Sequence, residues 1–234
     1  FPSEDKTTYF KKKTFSRADH IICISENTKR DLIKLFDIEK SKISVVHHGI
    51  DFSLFQNVMR NFDVSNKPYL LYVGSRSTHK NFSGFIKAVA SSSRLMADFD
   101  VIVIGERFSA TEKNFISSLG FKFDQVKQIS RVTDLQLAQF YSNADVFIFP
   151  SLYEGFGYPP LEAMAAGCPV VSSNSSSMPE VSRNAAVYFN PHDIEEIRNA
   201  IEKVVFSEDL KNQLVALGYE IIKTSHQIRV HQKH

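Results

Sequence analysis

Glu154 and Glu162 stand eight positions apart, on either side of a turn made by Gly155, Phe156 and Gly157. Glycines beside a helix N-terminus expose backbone N–H groups, and those suit an anionic ligand. Carboxylates that flank such a site can hold neutral hydroxyls. A sugar joined to a nucleoside diphosphate has that layout: sugar hydroxyls, two phosphates, ribose hydroxyls. A second loop, Gly74-Ser75-Arg76-Ser77-Thr78-His79-Lys80-Asn81, offers hydroxyls and cations. Lys80 stands just before a helix that Asn81 would cap, where a cation can reach a diphosphate. Arg76 can grip phosphate oxygens with its planar fork. Plainer readings exist for most of these residues. Glu154 can be a helix-start acid favoured by the dipole, and the Gly74–Asn81 loop can be solvated surface. Glu162 resists that reading, because it sits between Leu161 and Ala163 in an apolar segment. Carboxylates are rarely placed there unless they bind something.

Positioning these residues takes a rigid scaffold, and the pattern supplies one. Short apolar runs read as strands buried on both faces: Ile21–Ile24, Ile43–Val46, Tyr69–Gly74, Phe99–Gly105, Gln125–Ile129, Asp145–Phe149, Val170–Ser172 and Ala186–Phe189. Between them run helical patterns: Glu26–Phe36 after a Ser25 N-cap, then Asn81–Leu95 and Thr111–Leu119. Asp134–Ser142, with Leu135, Ala138 and Tyr141 on one side, Pro160–Ala166 and Ile194–Val205 complete the set. Residues 51 to 67 are polar and mixed, with Asn57, Asn61, Ser65 and Asn66, and read as a connector. His47-His48-Gly49 closes the strand before it. The alternation predicts an α/β fold, a Rossmann-like parallel sheet with helices on both faces. Ligands of such sheets bind at the carboxyl ends of the strands. Gly74, Gly105, Ser130 and the Ser151–Gly157 segment all fall there.

Composition narrows the function. The chain has 234 residues, 43% of them hydrophobic and 23% charged, which fits a globular domain with a full core. A net charge of +2 is too small for nucleic acid to be the main partner. No apolar run reaches the roughly 20 residues that span a bilayer. The start, Phe1-Pro2-Ser3-Glu4, has neither an initiator Met nor the apolar core of a signal peptide, and reads as that of a fragment. Cys23 and Cys168 sit in apolar contexts as buried free thiols, which fits a reducing cytoplasm. His20, His47, His48, His79 and His192 show no metal-ligand spacing. No metal is therefore expected. His226, His231 and His234 read as solvated in a polar tail. The dinucleotide fingerprint G-x-G-x-x-G fails because Pro160 takes the third glycine position, which counts against a nicotinamide-dependent oxidoreductase.

At these residues the chain resembles the retaining glycosyltransferases with the two-domain GT-B fold, the large group 1 family that includes sucrose synthases and many bacterial mannosyltransferases. The carrying motif is Glu154-Gly155-Phe156-Gly157…Glu162, the family's E-x7-E signature. Ala144–Ser151, Gly167-Cys168-Pro169-Val170-Val171 and Met178-Pro179-Glu180-Val181 match family wording, and the resemblance runs from about Ala18 to Val205. It implies that Glu154 contacts the donor sugar and that the amides of Gly155, Phe156 and Gly157 face the sugar and its phosphate. It further implies that Glu162 binds the ribose, that Lys80 neutralises the diphosphate, and that Ser130 to Thr133, Val132 among them, lie against the base. The family has Arg directly after the first loop's glycine. Here that position is Ser75, and Arg76 follows one later.

The resemblance also divides the chain. Residues 1–51 match the end of an N-terminal acceptor domain and its linker, 52–206 a C-terminal nucleotide-sugar-binding domain, and 207–234 a helical tail. The implied donor is GDP-mannose, with a UDP-sugar second. The implied acceptor is a glycan or lipid-linked molecule held mainly by N-terminal residues beyond this chain, with peripheral membrane contact at the inner face. On that reading the isolated chain binds donor without transferring it. A non-catalytic nucleotide-binding module is the alternative.

Overall fold

Parallel strands covered on both faces have no solvent side, so they read as unbroken apolar runs rather than alternating ones. That is how the central strands of this protein are built. The computed structural model describes residues 6–47, 52–56, 58 and 65–230. The chain forms two units, Phe1–His48 and Gly49–His234.

The first unit holds α1 (Lys6–Arg17), β1 (Ile21–Cys23), α2 (Glu26–Phe36) and β2 (Ile43–Val45). β1 and β2 pair in parallel, with Ile21 opposite Ile43. Ser25 caps α2 as expected: its Oγ accepts from the Thr28 N–H at 3.0 Å. Cys23, Leu32, Ile38 and Ile43 make a small core against which Phe15 and Phe36 pack. The α1 helix carries no apolar periodicity strong enough to have marked it in the sequence. His48 and Gly49 lie outside the described residues.

The second unit opens with β3 (Tyr69–Val73), α3 (Phe82–Ala90), α4 (Ser93–Asp98), β4 (Asp100–Ile104), α5 (Ala110–Ser118) and β5 (Val126–Ile129). It continues with α6 (Asp134–Asn143), β6 (Val146–Phe149), α7 (Tyr158–Ala165), β7 (Val170–Ser173) and α8 (Met178–Ser182). β8 (Ala186–Phe189), α9 (Ile194–Val205) and α10 (Glu208–Val230) complete it. Its six strands lie in the order β5-β4-β3-β6-β7-β8 and are parallel throughout. Leu70, Tyr72, Val101, Val103, Val146 and Ile148 face one layer with α3 and α9, through Phe85, Ile86, Ile197 and Ile201. The opposite face takes Phe147 against Tyr141 of α6, whose ring centres are 5.2 Å apart.

Three expectations are corrected. The single helix over Asn81–Leu95 is two. It breaks at Ser91 and Ser92, because Ser92 caps α4 by accepting from the Leu95 N–H at 3.1 Å. Asn81 does not cap α3 with its side chain; it sits in the left-handed region at φ 53° and donates instead to the Pro191 carbonyl at 2.8 Å. Leu135 does not share the buried side of α6 with Ala138 and Tyr141, since it is 56% exposed. The connector is also less polar than it reads. Phe52 and Phe55 are buried around a short turn at Ser53–Phe55, while Asn57 and Asn61 lie outside the described residues. The tail, residues 207–234, is mostly α10, which packs through Leu214, Ile221 and Ile222. His231, His234 and the His226 side chain lie outside the described set. Among the described residues, no helix is long and apolar enough to cross a membrane.

Candidate functional site

The sheet order fixes where a ligand fits. From β3 the chain moves outward through β4 to β5, then returns to β3's other side and moves outward again through β6, β7 and β8. The loops leaving β3 and β6 therefore diverge and open a crevice at the carboxyl edge, the usual ligand site of doubly wound sheets. Of the residues singled out by chemistry, Lys80 and Glu154 to Gly157 lie on those two loops, and Glu162 follows in α7.

The β3 loop is pinned before it reaches the crevice. Gly74 turns at φ 133° and donates its N–H to the Ile104 carbonyl at 2.9 Å. The buried Tyr72 hydroxyl donates to the Ser75 carbonyl at 2.6 Å. A single turn over Thr78–Lys80 then directs Lys80 toward the β6 loop. There its Nζ meets Glu154 Oε1 at 2.6 Å. The backbones join as well: the Leu152 N–H donates to the His79 carbonyl at 2.7 Å. Lys80 is 24% exposed and Glu154 14%, so the pair is shielded yet reachable. Residues separated by 74 positions are thus brought into direct contact, cation to carboxylate.

The β6 loop is held from below by serines that the sequence reading passed over. Glu154 donates its N–H to Ser176 Oγ at 2.9 Å. The fully buried Ser177 shares its hydroxyl between the carbonyls of Glu154, at 3.0 Å, and Phe156, at 2.8 Å. The run Ser175-Ser176-Ser177 after β7 was the available signal, since hydroxyls there can satisfy a turn that lacks its own ladder. Gly157 then enters α7 at φ 107°, and a side chain at that position would run into the Met178 thioether. Gly157→Ala is therefore expected to cost about 1–3 kcal/mol through backbone strain and overpacking. Thermal unfolding measures it; an unchanged midpoint would contradict the packing argument. Pro159 and Pro160 follow in the first turn of α7, where no N–H is needed.

Glu162 lies one turn into α7. Its Oε2 accepts from the Tyr141 hydroxyl at 3.1 Å. Burial pushes its carboxyl above the usual range; the Tyr141 hydrogen bond opposes that push and nearby Asp134 adds to it. Burial raises the Tyr141 phenol strongly too, with Glu162 as the next cause, so the phenol remains a donor. Val132 lies in the β5–α6 loop, half-buried between Arg131, at φ 59°, and Thr133, which begins α6 with a capping box to Gln136. That loop is at the same carboxyl edge, two strands from β3.

Arg76 is placed elsewhere. Its Nε meets Glu112 Oε1 at 2.5 Å and its Nη2 donates to the Arg107 carbonyl at 3.0 Å. The guanidinium lies 4.8 Å from the Phe108 ring centre and 5.9 Å from that of Phe82. Only 6% of the side chain is exposed, so it braces the loops after β3 and β4 rather than facing the crevice. The pairing holds Glu112 well below the usual carboxylate range, at about 2. Gly105 belongs to the same brace, because a Cβ there would come within 2.5 Å of the Gly74 carbonyl. Cys23 and Cys168 are buried and form no disulfide. Among the described residues, no group of three or more His, Cys, Asp or Glu is gathered to hold a metal ion.

Comparison with known proteins places this geometry. Residues 57–220 match glycosyl transferases group 1, and residues 2–54 match glycosyltransferase family 4. The O-antigen chain mannosyltransferase RfbU of Salmonella typhimurium is 31% identical over 196 residues, 82% of this chain and 53% of that protein. An MMP alpha-(1->4)-mannosyltransferase of Mycolicibacterium hassiacum is 31% identical over 215 residues, 88% of this chain and 49% of that one. The chain thus spans about half the length of these curated relatives. Among solved structures, sucrose-phosphate synthase from Thermosynechococcus elongatus superposes with a TM-score of 0.81 at 22% identity, over 95% of this chain and 58% of its own. Anabaena HepE, crystallised with UDP and glucose, gives a TM-score of 0.81 at 18% identity, over 99% of this chain and 67% of its own. Those two likenesses are of fold. The sequence match takes in both crevice loops, the β5–α6 loop and Glu162 in one continuous stretch, and the chain belongs to the glycosyl transferases group 1 family.

Proposed function

We propose that this chain binds a nucleoside diphosphate sugar, with GDP-mannose the leading donor and a UDP-sugar second. It serves transfer of the sugar to a glycan or lipid-linked acceptor with retention of anomeric configuration. The observation that carries the reading is the Lys80–Glu154 pair across the switch-point crevice. Sugar transfer builds positive charge at the anomeric carbon and negative charge on the departing diphosphate. A fixed cation and loop amides stabilise that leaving charge without reorganising. Lys80 is assigned that role, with the amides of Gly155, Phe156 and Gly157 beside it. Glu154 is then released to hold donor sugar hydroxyls, Glu162 takes the ribose, and Val132 lies against the base. No metal is assigned, since the cation that the diphosphate needs is a side chain.

Mannose is preferred because RfbU and the Mycolicibacterium relative are named as mannosyltransferases. UDP stays second because Anabaena HepE was crystallised with it. Acceptor binding is assigned mainly to residues beyond this chain, so the 234-residue chain should bind donor and not transfer it. The whole enzyme is assigned to the cytoplasm, at the inner face of a membrane that would carry a lipid-linked acceptor.

The test is calorimetry with GDP, UDP, ADP and their sugars, with and without EDTA. Binding of one nucleoside diphosphate, unaffected by EDTA, supports the reading; rescue of lost affinity by Mg²⁺ or Mn²⁺ overturns the metal-free part. Glu162→Ala should weaken the bound nucleotide by about 2 kcal/mol, the range of hydrogen bonds to a charged group. Affinity that stays unchanged in a folded variant sinks the ribose assignment.

A further inference from the structure

We propose that Tyr141 is a positioning residue for donor recognition: its hydroxyl sets the plane of the Glu162 carboxylate so that the free oxygen meets a ribose hydroxyl. The proposal rests on the ribose reading of Glu162 given above. Its physical basis is independent of any ligand. Tyr141 is fully buried, so its ring has no room to change rotamer. Phe147 of β6 meets it edge-on at 5.2 Å, and Phe55 of the connector packs at 6.2 Å with the rings inclined by 57°. The phenol is therefore fixed from the sheet on one side and from the connector on the other. Its O–H is spent on Glu162 Oε2, at 3.1 Å. Among the described residues this is the only hydrogen bond that the Glu162 side chain makes, and Oε1 is left for another donor.

A carboxylate on a flexible side chain loses rotamer freedom when it binds a diol. Here that cost is met in the empty protein by a rigid phenol. The same contact gives discrimination. A site built to hydrogen-bond a hydroxyl penalises the analogue that lacks it, provided its own polar group cannot turn away to another partner. Tyr141 prevents that turn. Phe55 extends the device to the connector: the segment before β3 carries the ring that holds the phenol in place.

The experiment compares ribonucleoside and 2′-deoxyribonucleoside diphosphates of whichever base binds, in four proteins: wild type, Tyr141→Phe, Glu162→Gln and the double variant. The wild type should prefer the ribonucleotide at least tenfold. Tyr141→Phe keeps the ring and its packing, and should cut that preference to about threefold or less while deoxynucleotide affinity stays within twofold. In the Glu162→Gln background, removing the hydroxyl should change the preference no further. Phe55→Leu, which loosens the brace and leaves the hydroxyl in place, should lower the preference in the same direction by less; it also serves if Tyr141→Phe fails to fold. Equal losses for both nucleotides in Tyr141→Phe would make Tyr141 merely structural and overturn the proposal. So would an additive loss in the double variant. A wild type that binds both nucleotides equally overturns the proposal and the ribose role of Glu162 together, and a wild type that binds neither removes the donor reading itself.

Discussion

Lys80→Ala is expected to weaken nucleoside diphosphate binding by about 3–4 kcal/mol, several hundredfold, the scale of one charge pair at about 4 Å near a protein surface. The bare nucleoside should lose less than threefold. Two effects of the same sign add. The diphosphate loses its cation, and Glu154, which is 14% exposed, loses the partner that neutralises it and then repels the incoming anion. The second effect can be isolated. Adding Glu154→Gln to Lys80→Ala should recover part of the lost diphosphate affinity, because the repulsion is gone although the cation is still missing. The measurement is titration calorimetry at two salt concentrations, with the wild-type diphosphate affinity falling as salt rises. Equal losses for nucleoside and diphosphate would make Lys80 a structural residue and Glu154 its counter-ion only.

Glu112→Ala should lower folding stability by about 3 kcal/mol, because it strands a buried guanidinium. Arg76 is 6% exposed, and its Nη1 is already buried without a hydrogen-bond partner. Removing Glu112 leaves the Arg107 carbonyl as its main remaining polar contact. The pH dependence has a definite sign. Arg76 lowers the Glu112 carboxyl to about 2 in the folded protein. An unfolded Glu titrates near 4.3, so the unfolded state binds the proton more readily. The stabilisation is complete above that unfolded value and is lost as pH falls toward 2. Thermal midpoints of wild type and Glu112→Ala should therefore differ most at neutral pH and converge in acid. A gap that persists undiminished at pH 2 would mean that Glu112 acts through its α5 capping box with Ser109 and not through charge.

How much of this could be read from the sequence differs from one feature to the next, for physical reasons. The order of strands and helices was legible because β3, β4 and β6 are buried on both faces and leave apolar runs with no polar interruption. The Ile194–Val205 helix was legible to the residue because one face is core and the other water. The split between α3 and α4 was hidden because apolar spacing runs on from Phe85 and Val89 to Leu95, and the break depends on one serine hydroxyl choosing a backbone partner. The crevice residues were legible as a set, since Lys80, Glu154 and Glu162 are types that do chemistry beside strand ends. The fate of Arg76 was not. Nothing local shows that Glu112, 36 positions on, will claim its guanidinium. Tyr141 was hidden in a similar way: its ring reads as core, and only the fold reveals that its hydroxyl meets Glu162.

The pairing of β3 with β6, Leu70 beside Val146, has a kinetic consequence. β3, β4 and β5 pair each with the next strand in the chain, whereas β6 closes on β3 across that whole intervening segment. Long closures are entropically costly before their contacts reward them. The cation and the carboxylate come from opposite sides of this seam, so they meet only once it has closed. A refolding chain should thus regain most of its helical signal before it regains any affinity for an anion. Amide protection at Leu152, whose N–H crosses the seam to His79, should appear with the last folding phase.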